Sequence, residues 1–296
     1  MYYSMKIFLT GADGMLGSSI MNGAKDEDYS FFACSHTNSV FPYKKIDINN
    51  FRLVKNKINT YDPDVIIHLA ALTDVDYCEV HPKEAYQINT FATKNIADHA
   101  SACGIPIVFL STGAVFDGKS TTSYKENDKL HPINVYGQTK QKAEEYVREF
   151  NNNLIIRTGW LIGGSYRDKK FVGKILQRIG SHTKELQAVS DIFGSPTTTD
   201  DLAVAVLKLV QMKAVGTFHV ANEGIASRYE IAQEVLFFTE KQKEVFLKSV
   251  RYGFFGEVAP RPKMEALNTS YVHERYNIQL RSWKKALQNY LRKKIK

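Results

Sequence analysis

A tyrosine and a lysine four positions apart in a helical stretch face the same way, and Tyr136 and Lys140 stand so in Asn134-Val135-Tyr136-Gly137-Gln138-Thr139-Lys140. In a pocket wall, the ammonium would stabilise the phenolate and lower the phenol's pKa toward the working pH. That suits proton donation to a carbonyl under reduction. The same spacing occurs at Tyr2/Lys6, Tyr166/Lys170 and Tyr290/Lys294, so context must separate the four. Tyr2/Lys6 runs into a strand, Tyr166/Lys170 falls in a Gly-rich charged loop, and Tyr290/Lys294 sits in the basic tail. Only Tyr136/Lys140 follows a strand-end hydroxyl, Thr112.

A reductase needs a hydride source, and the chain opens with a segment fit to hold one. The apolar run Lys6-Ile7-Phe8-Leu9-Thr10 leads into Gly11-Ala12-Asp13-Gly14-Met15-Leu16-Gly17 and then a helix-forming stretch. Strand, glycine turn and helix let the backbone approach a pyrophosphate at the helix N-terminus. Gly11, Asp13, Gly14, Met15, Leu16 and Gly17 are therefore expected to cradle a dinucleotide, with G-x-x-G-x-x-G rather than G-x-G-x-x-G spacing. The next strand, Phe31 to Cys34, ends in Ser35-His36-Thr37 rather than a carboxylate that would bind the ribose diol. NADPH is expected on that ground, with NADH left open. Lys44 to Ile48 reads as a short strand placing Asp47 and Ile48 by the adenine, Asp47 being equally readable as a helix N-terminal residue.

Further strands are read at Asp64 to Leu69, closing on the small residues Ala70 and Ala71 where a cofactor could approach, and at Pro106 to Leu110, opening into Ser111-Thr112. A long helix is expected from Pro82 to Ala102, and another carries Tyr136 and Lys140 toward Phe150. Leu154 to Thr158 is a strand with Gly159-Trp160 at its end; Trp160 could stack on a ring or fill core. Strands alternating with helices give an α/β, Rossmann-like, doubly wound parallel sheet with ligands at the strands' carboxyl ends. Beyond Trp160 the rhythm breaks. Helices are expected over Phe171 to Gly180, from Thr199-Asp200-Asp201 and from Ser227 to Thr239, an extended piece at Leu186 to Ser190 and a strand at Gly216 to Val220. Residues 1–160 thus read mainly as a dinucleotide-binding domain and 161–296 mainly as a smaller, interleaved substrate lobe, some segments returning to the first.

Composition bounds the alternatives. The 296 residues carry a net charge of +8, much of it in the tail from Arg281 to Lys296, which reads as a solvated terminal helix. Basic and aromatic residues do not interleave as a nucleic-acid surface requires. No apolar run approaches a membrane span, and no signal segment opens the chain. Cys34, Cys78 and Cys103 lie far apart, which fits a reducing cytoplasm.

Taken together, these pieces resemble the extended short-chain dehydrogenase/reductases, and within them the dTDP-4-dehydrorhamnose reductase family. The resemblance runs over almost the full length. It rests on Gly11 to Gly17, Ala70 to Asp76, Ser111-Thr112 with Val115 to Gly118, Asn134 to Lys140, Arg157-Thr158-Gly159-Trp160, Phe193 to Thr197 and Arg261-Pro262. It implies Thr112, Tyr136 and Lys140 as the catalytic set, and Thr73, Val75, Trp160 and Arg261 near a nucleotide sugar, with Thr112 also touching it. The implied reaction is NAD(P)H-dependent reduction of the C4 ketone of a 6-deoxy-4-keto sugar, dTDP-4-dehydro-L-rhamnose first, for surface polysaccharide. Two departures stand out. Gly113-Ala114 replaces the family's usual Asp-Tyr, which leaves the sugar open. Ser19 stands where some members carry an acid that joins a Mg²⁺ site between subunits, so no metal is expected, and a homodimer is left open. Two other readings keep the fold: a reductase or epimerase for another nucleotide sugar, and a non-catalytic subunit resembling methionine adenosyltransferase beta.

Overall fold

The computed structural model describes residues 4–24, 29–37, 43–164, 168 and 170–295; Tyr2 and Tyr166 of the tyrosine–lysine pairs lie outside them. A seven-stranded parallel sheet forms the centre. Its strands are β1 (Met5–Thr10), β2 (Tyr29–Ser35), β3 (Lys44–Lys45), β4 (Val65–His68), β5 (Ile107–Thr112), β6 (Asn153–Thr158) and, after four strands outside this sheet, β11 (Gly216–His219). The outside strands are β7 (Leu161–Ile162), β8 (Glu185–Val189), β9 (Phe193–Gly194) and β10 (Thr197–Thr198), followed later by β12 (Ala226–Ser227) and β13 (Phe246–Val250). The order β11-β6-β5-β4-β1-β2-β3 reverses between β1 and β4, and in doubly wound sheets ligands bind at that reversal, beyond the strands' carboxyl ends.

Continuous apolar runs place these strands inside. Alternate residues of one strand serve opposite faces: Ile7 and Leu9 join Ile67, Val108 and Ile156 in one core layer, while Phe8 joins Ile66, Phe109 and Ile155 in the other. Helices α1 (Met15–Gly23) and α8 (Thr199–Gln211) cover the first layer; α2 (Phe51–Tyr61), α5 (Ala92–Ala102) and α6 (Val135–Arg148) cover the second. Between β4 and α5 come α3 (Val75–Val80), α4 (Pro82–Tyr86) and a π turn over Gln87–Phe91. The long helix expected from Pro82 to Ala102 thus carries a wide turn in its middle, a feature often found beside functional sites.

A second core holds the lobe built by α7 (Phe171–Gly180), α9 (Arg228–Phe238) and α11 (Trp283–Ile295), with α10 (Ser270–Tyr276) returning to the main core. Val172, Ile175, Leu186, Ile231 and Val235 pack there with Trp283, Leu287 and Leu291. The basic tail is therefore amphipathic rather than simply solvated: its apolar stripe is buried while Lys284, Lys285 and Arg292 face water. Through β11 and α8, residues beyond 161 also complete the main sheet and its helical cover.

Candidate active site

Helix α6 starts at a cap that also ties it to the second lobe. The Asn134 side chain accepts from Gly137 N at 2.8 Å and donates to the Pro260 carbonyl at 2.9 Å. Gly137 is needed for proximity: a Cβ there would stand 2.2 Å from the Ala114 carbonyl oxygen. This contact presses the first turn of α6 against the 3₁₀ turn Gly113–Val115 that follows β5. It brings Tyr136 to the strand end, where the Thr112 hydroxyl acts on its phenol. Thr112 Oγ1 also accepts from Ala114 N at 3.1 Å.

One turn along, Lys140 is 3 % exposed and its Nζ lies 4.0 Å from the centre of the Phe109 ring. Burial lowers its pKa to about 7, against the opposing charge of Glu144. Burial also raises the Tyr136 phenol above its ordinary value, with the Thr112 hydroxyl opposing and the charges of Cys78 and Glu265 adding to the rise. The sequence-based expectation of a lowered phenol is thus reversed. Desolvation outweighs any help from Lys140, whose ammonium is spent on the face of Phe109.

Beneath Lys140 lies a fully buried ion pair. Glu144 receives Arg157 Nε at 2.9 Å and Nη2 at 2.8 Å, and the Ser111 hydroxyl at 2.5 Å, and it also pairs with Arg148. Arg157 Nη1 in turn donates to the Glu126 carbonyl at 3.1 Å and reaches His219 Nε2 at 3.3 Å. Burial and the neighbouring Arg157 lower the His219 pKa to about 3. It is neutral, with Nδ1 bonded to the Tyr124 carbonyl at 3.0 Å and Nε2 left to accept from Arg157.

The glycine turn meets the demands of a dinucleotide. Gly11 has φ +67°, and a Cβ on it would meet Ala70 N at 2.7 Å; one on Gly17 would meet the Gly11 carbonyl oxygen at 2.3 Å. Gly14 caps α1 without a side chain, and no acid occupies the first turn, so the N–H groups of that turn face outward for an anion. Met15 stands beside Gly164, whose added Cβ would touch it at 2.7 Å, and Leu16 is buried in the core below. Thr10 Oγ1 accepts from Leu69 N and Ala70 N, each at 3.2 Å, which fixes the Ala70-Ala71 approach next to the turn. Asp13 accepts from Thr37 Oγ1, and Ser35 Oγ donates to the Thr37 carbonyl at 2.8 Å; the end of β2 is tied to the glycine turn. Asp47 caps its own turn by accepting from Asn49 N at 2.9 Å. Asn50, not Asp47, is the N-cap of α2, and Ile48 is buried beside it. Thr158, paired in register with Thr112, has a buried hydroxyl with no partner among the described residues. These features suit a dinucleotide lying across the β1–β4 reversal.

Facing this cradle, Thr73 is exposed and Val75 opens α3, which Asp74 caps. Asp76 accepts from Ala259 N at 2.9 Å, Val258 N at 3.1 Å and Arg261 Nη2 at 2.8 Å. Arg261, expected beside the substrate, is therefore committed to Asp76 and pins segment 258–261 over α3. Trp160, at φ +22°, lies against Gly194, donates from Nε1 to Glu265 Oε2 at 2.8 Å and carries the Arg228 guanidinium 3.9 Å from its ring. Burial lowers the Arg228 pKa to about 10, with Glu265 opposing, and Lys170 lies within electrostatic reach of both Arg228 and Asp74. The Ser19 hydroxyl donates to Thr199 Oγ1 at 2.8 Å and Asp200 Oδ1 at 3.1 Å.

Sequence reasoning missed three participants. Asn89, in the π turn, holds both backbone groups of Leu72, at 2.7 and 3.0 Å, and donates to Thr139 Oγ1 at 3.1 Å, clamping the β4 loop to the helix of Lys140. Arg228 was hidden by the clear capping signal of Ser227 beside it, and Glu265 sits in a stretch without periodicity. Only the wide turn at Asn89 breaks the local helix; the other two gave no local signal.

The profile of the RmlD substrate binding domain family matches residues 5–295. The spore coat polysaccharide biosynthesis protein SpsK of Bacillus subtilis (strain 168) is 35% identical over 290 residues, covering 98% of this chain and 98% of its own. A dTDP-4-dehydrorhamnose reductase structure from Clostridium acetobutylicum aligns with a TM-score of 0.90 at 35% identity, covering 99% of this chain and 100% of that one. The enzyme of the same name from Bacillus anthracis, solved in complex with NADP, gives a TM-score of 0.90 at 31% identity, covering 98% of this chain and 100% of that one.

Proposed function

Because the chain belongs to the RmlD substrate binding domain family, we propose that it is an NADPH-dependent oxidoreductase reducing the C4 ketone of a nucleotide-linked 6-deoxy-4-keto sugar, dTDP-4-dehydro-L-rhamnose being its first candidate. The observation that carries this reading is the packing of α6 on the turn after β5, which sets Tyr136 beside Thr112 at a strand end, with Lys140 one turn along and the glycine cradle across the sheet reversal. NADPH, held by residues 11–17 and by Ala70-Ala71, supplies a hydride when bound. The chain does the rest. Tyr136, whose phenol is held protonated by burial, donates its proton to the oxygen that gains charge, and Thr112 gives that oxygen a second hydrogen bond. Lys140, one turn along α6, holds the ribose.

Lys170 and Arg228, near Trp160 in the second lobe, offer positive charge suited to a nucleotide diphosphate. On this reading residues 1–160 serve mainly the dinucleotide and 161–296 mainly the sugar nucleotide. Thr73, Val75 and Trp160 border the latter, and Arg261 acts by holding segment 258–261. Ser35-His36-Thr37 at the end of β2 presents no carboxylate to repel a 2′-phosphate, which supports NADPH over NADH. The likeness to a spore coat polysaccharide biosynthesis protein supports a role in surface polysaccharide. Three free cysteines and, among the described residues, no helix long and apolar enough to cross a membrane agree with a cytoplasmic location.

The test is NADPH oxidation, followed by absorbance, with dTDP-4-dehydro-L-rhamnose made by the preceding enzymes and NADH in parallel. Turnover with NADPH supports the reading. Tight NADPH binding without turnover points to another keto-sugar nucleotide, and failure on a panel of these to a regulatory subunit.

A further inference from the structure

Glu265 is carried by the strap that follows Arg261-Pro262, where Glu265 N donates to the Phe193 carbonyl at 2.8 Å. Its backbone approaches the catalytic strand end so closely that a Cβ on Gly113 would stand 2.6 Å from the Glu265 carbonyl oxygen. Gly113 directly follows Thr112, so the lack of a side chain at 113 is what admits Glu265 to this edge of the site. One carboxylate oxygen, Oε2, accepts from Trp160 Nε1 at 2.8 Å. The other, Oε1, has no hydrogen-bond partner among the described residues. The contact with Gly113 sets Glu265 beside the strand end that bears Thr112, and its charge is felt by the Tyr136 phenol. Burial raises the Glu265 pKa, while the Trp160 bond, Arg228 and Arg261 oppose that rise.

A half-buried carboxylate with one oxygen held by Trp160 and the other unpartnered among the described residues can accept one more hydrogen bond, and bonds to a charged acceptor are among the stronger ones. Two kinds of donor could come from a sugar, a hydroxyl or an ammonium. Arg228, stacked on the same indole as Glu265, and Arg261 already supply positive charge to it. A further cation would be repelled by them, so a neutral hydroxyl is the better partner. We propose that Glu265 is a specificity-determining residue whose Oε1 accepts a hydrogen bond from the substrate hydroxyl on the carbon flanking the ketone. For a 6-deoxy-4-keto hexose that hydroxyl is on C3, since C5 carries the methyl group. This inference rests on the ketone reduction proposed above.

The experiment compares wild type, Glu265→Ala and Glu265→Gln on dTDP-4-dehydro-L-rhamnose and on its 3-deoxy analogue, with NADPH affinity measured by fluorescence titration as a control for folding. Glu265→Ala should raise KM for the hydroxylated sugar by about 10- to 100-fold, the worth of a hydrogen bond to a charged group, with a smaller change in kcat. Glu265→Gln, which keeps an acceptor oxygen, should recover part of that loss. All three proteins should handle the 3-deoxy analogue about equally, and poorly. Equal losses on both sugars would assign Glu265 a merely structural role, and unchanged KM on both would show that it does not meet the sugar; either overturns the proposal. Failure of wild type on every keto-sugar nucleotide would instead overturn the ketone reduction, and this inference with it.

Discussion

Lys140→Met should make the cofactor-free protein more stable while removing its activity. Lys140 is buried, and its pKa falls from 10.5 to about 7, chiefly through desolvation with Glu144 opposing. Near pH 7 the folded chain carries the ammonium about half the time, whereas the unfolded chain carries it almost always. That difference corresponds to roughly 4 kcal/mol against the folded state. The cation–π contact with Phe109, worth up to about 2 kcal/mol when desolvated, is lost in the variant, and Met must repack. A net gain of about 1–3 kcal/mol remains, or roughly 2–8 °C in Tm for a chain of this size. The sign with pH is fixed. A base whose folded pKa is depressed carries its full penalty below that pKa, and the penalty fades as pH rises toward the unfolded value. Calorimetric Tm of both proteins should therefore differ most near about pH 6 and converge toward about pH 10. A variant no more stable than wild type at low pH, or a gap that widens with pH, would refute the argument.

Tyr136→Phe should keep NADPH affinity and lower kcat by about 100-fold or more, the loss of a positioned acid, as read by steady-state kinetics. Gly17→Ala should abolish NADPH binding in a fluorescence titration, since the new methyl would meet the Gly11 carbonyl oxygen at 2.3 Å and distort the turn. Arg157→Met leaves Glu144 buried without its bidentate partner and should cost about 3–5 kcal/mol in urea unfolding. Asn134→Ala removes both the α6 cap and the bond to Pro260; it should cost about 1–2 kcal/mol and lower kcat, because Tyr136 lies in the turn that the cap holds.

The sheet, the glycine turn and the tyrosine–lysine pair were legible because each is written in a short contiguous signal: apolar runs, glycine spacing, a four-residue step on one helix. Glu265 and Arg228 were not, because each reaches the site from a distant segment whose own local pattern says only strap or helix cap. Gly113 shows the same limit from the other side. The sequence displays a glycine beside Thr112, but the reason for it is the Glu265 carbonyl, 152 positions away by residue number. The phenol's pKa failed for a physical cause. A four-residue spacing says that Lys140 shares a face with Tyr136, but not that desolvation acts on both or that Phe109 takes the ammonium.

Segment 258–265 joins what the two halves of the chain contribute. Its start is held by Asp76 of α3 through Val258, Ala259 and Arg261, and its Pro260 carbonyl accepts from the Asn134 side chain that caps α6. Its end brings Glu265 to Trp160 and Gly113. One strap therefore touches the helix that holds Tyr136, the turn behind Thr112 and the indole expected to border the sugar. Asn89 adds a second tie from below, joining the β4 loop to Thr139 beside Lys140. Both ties end on α6, one from the strap and one from the loop after β4. On the proposed function, the strap therefore links the side that would take the sugar to the helix that would give the proton. Loosening the strap at Asp76 must disturb kcat together with KM, whereas loss of a contact made only to the sugar, as at Glu265, falls mainly on KM.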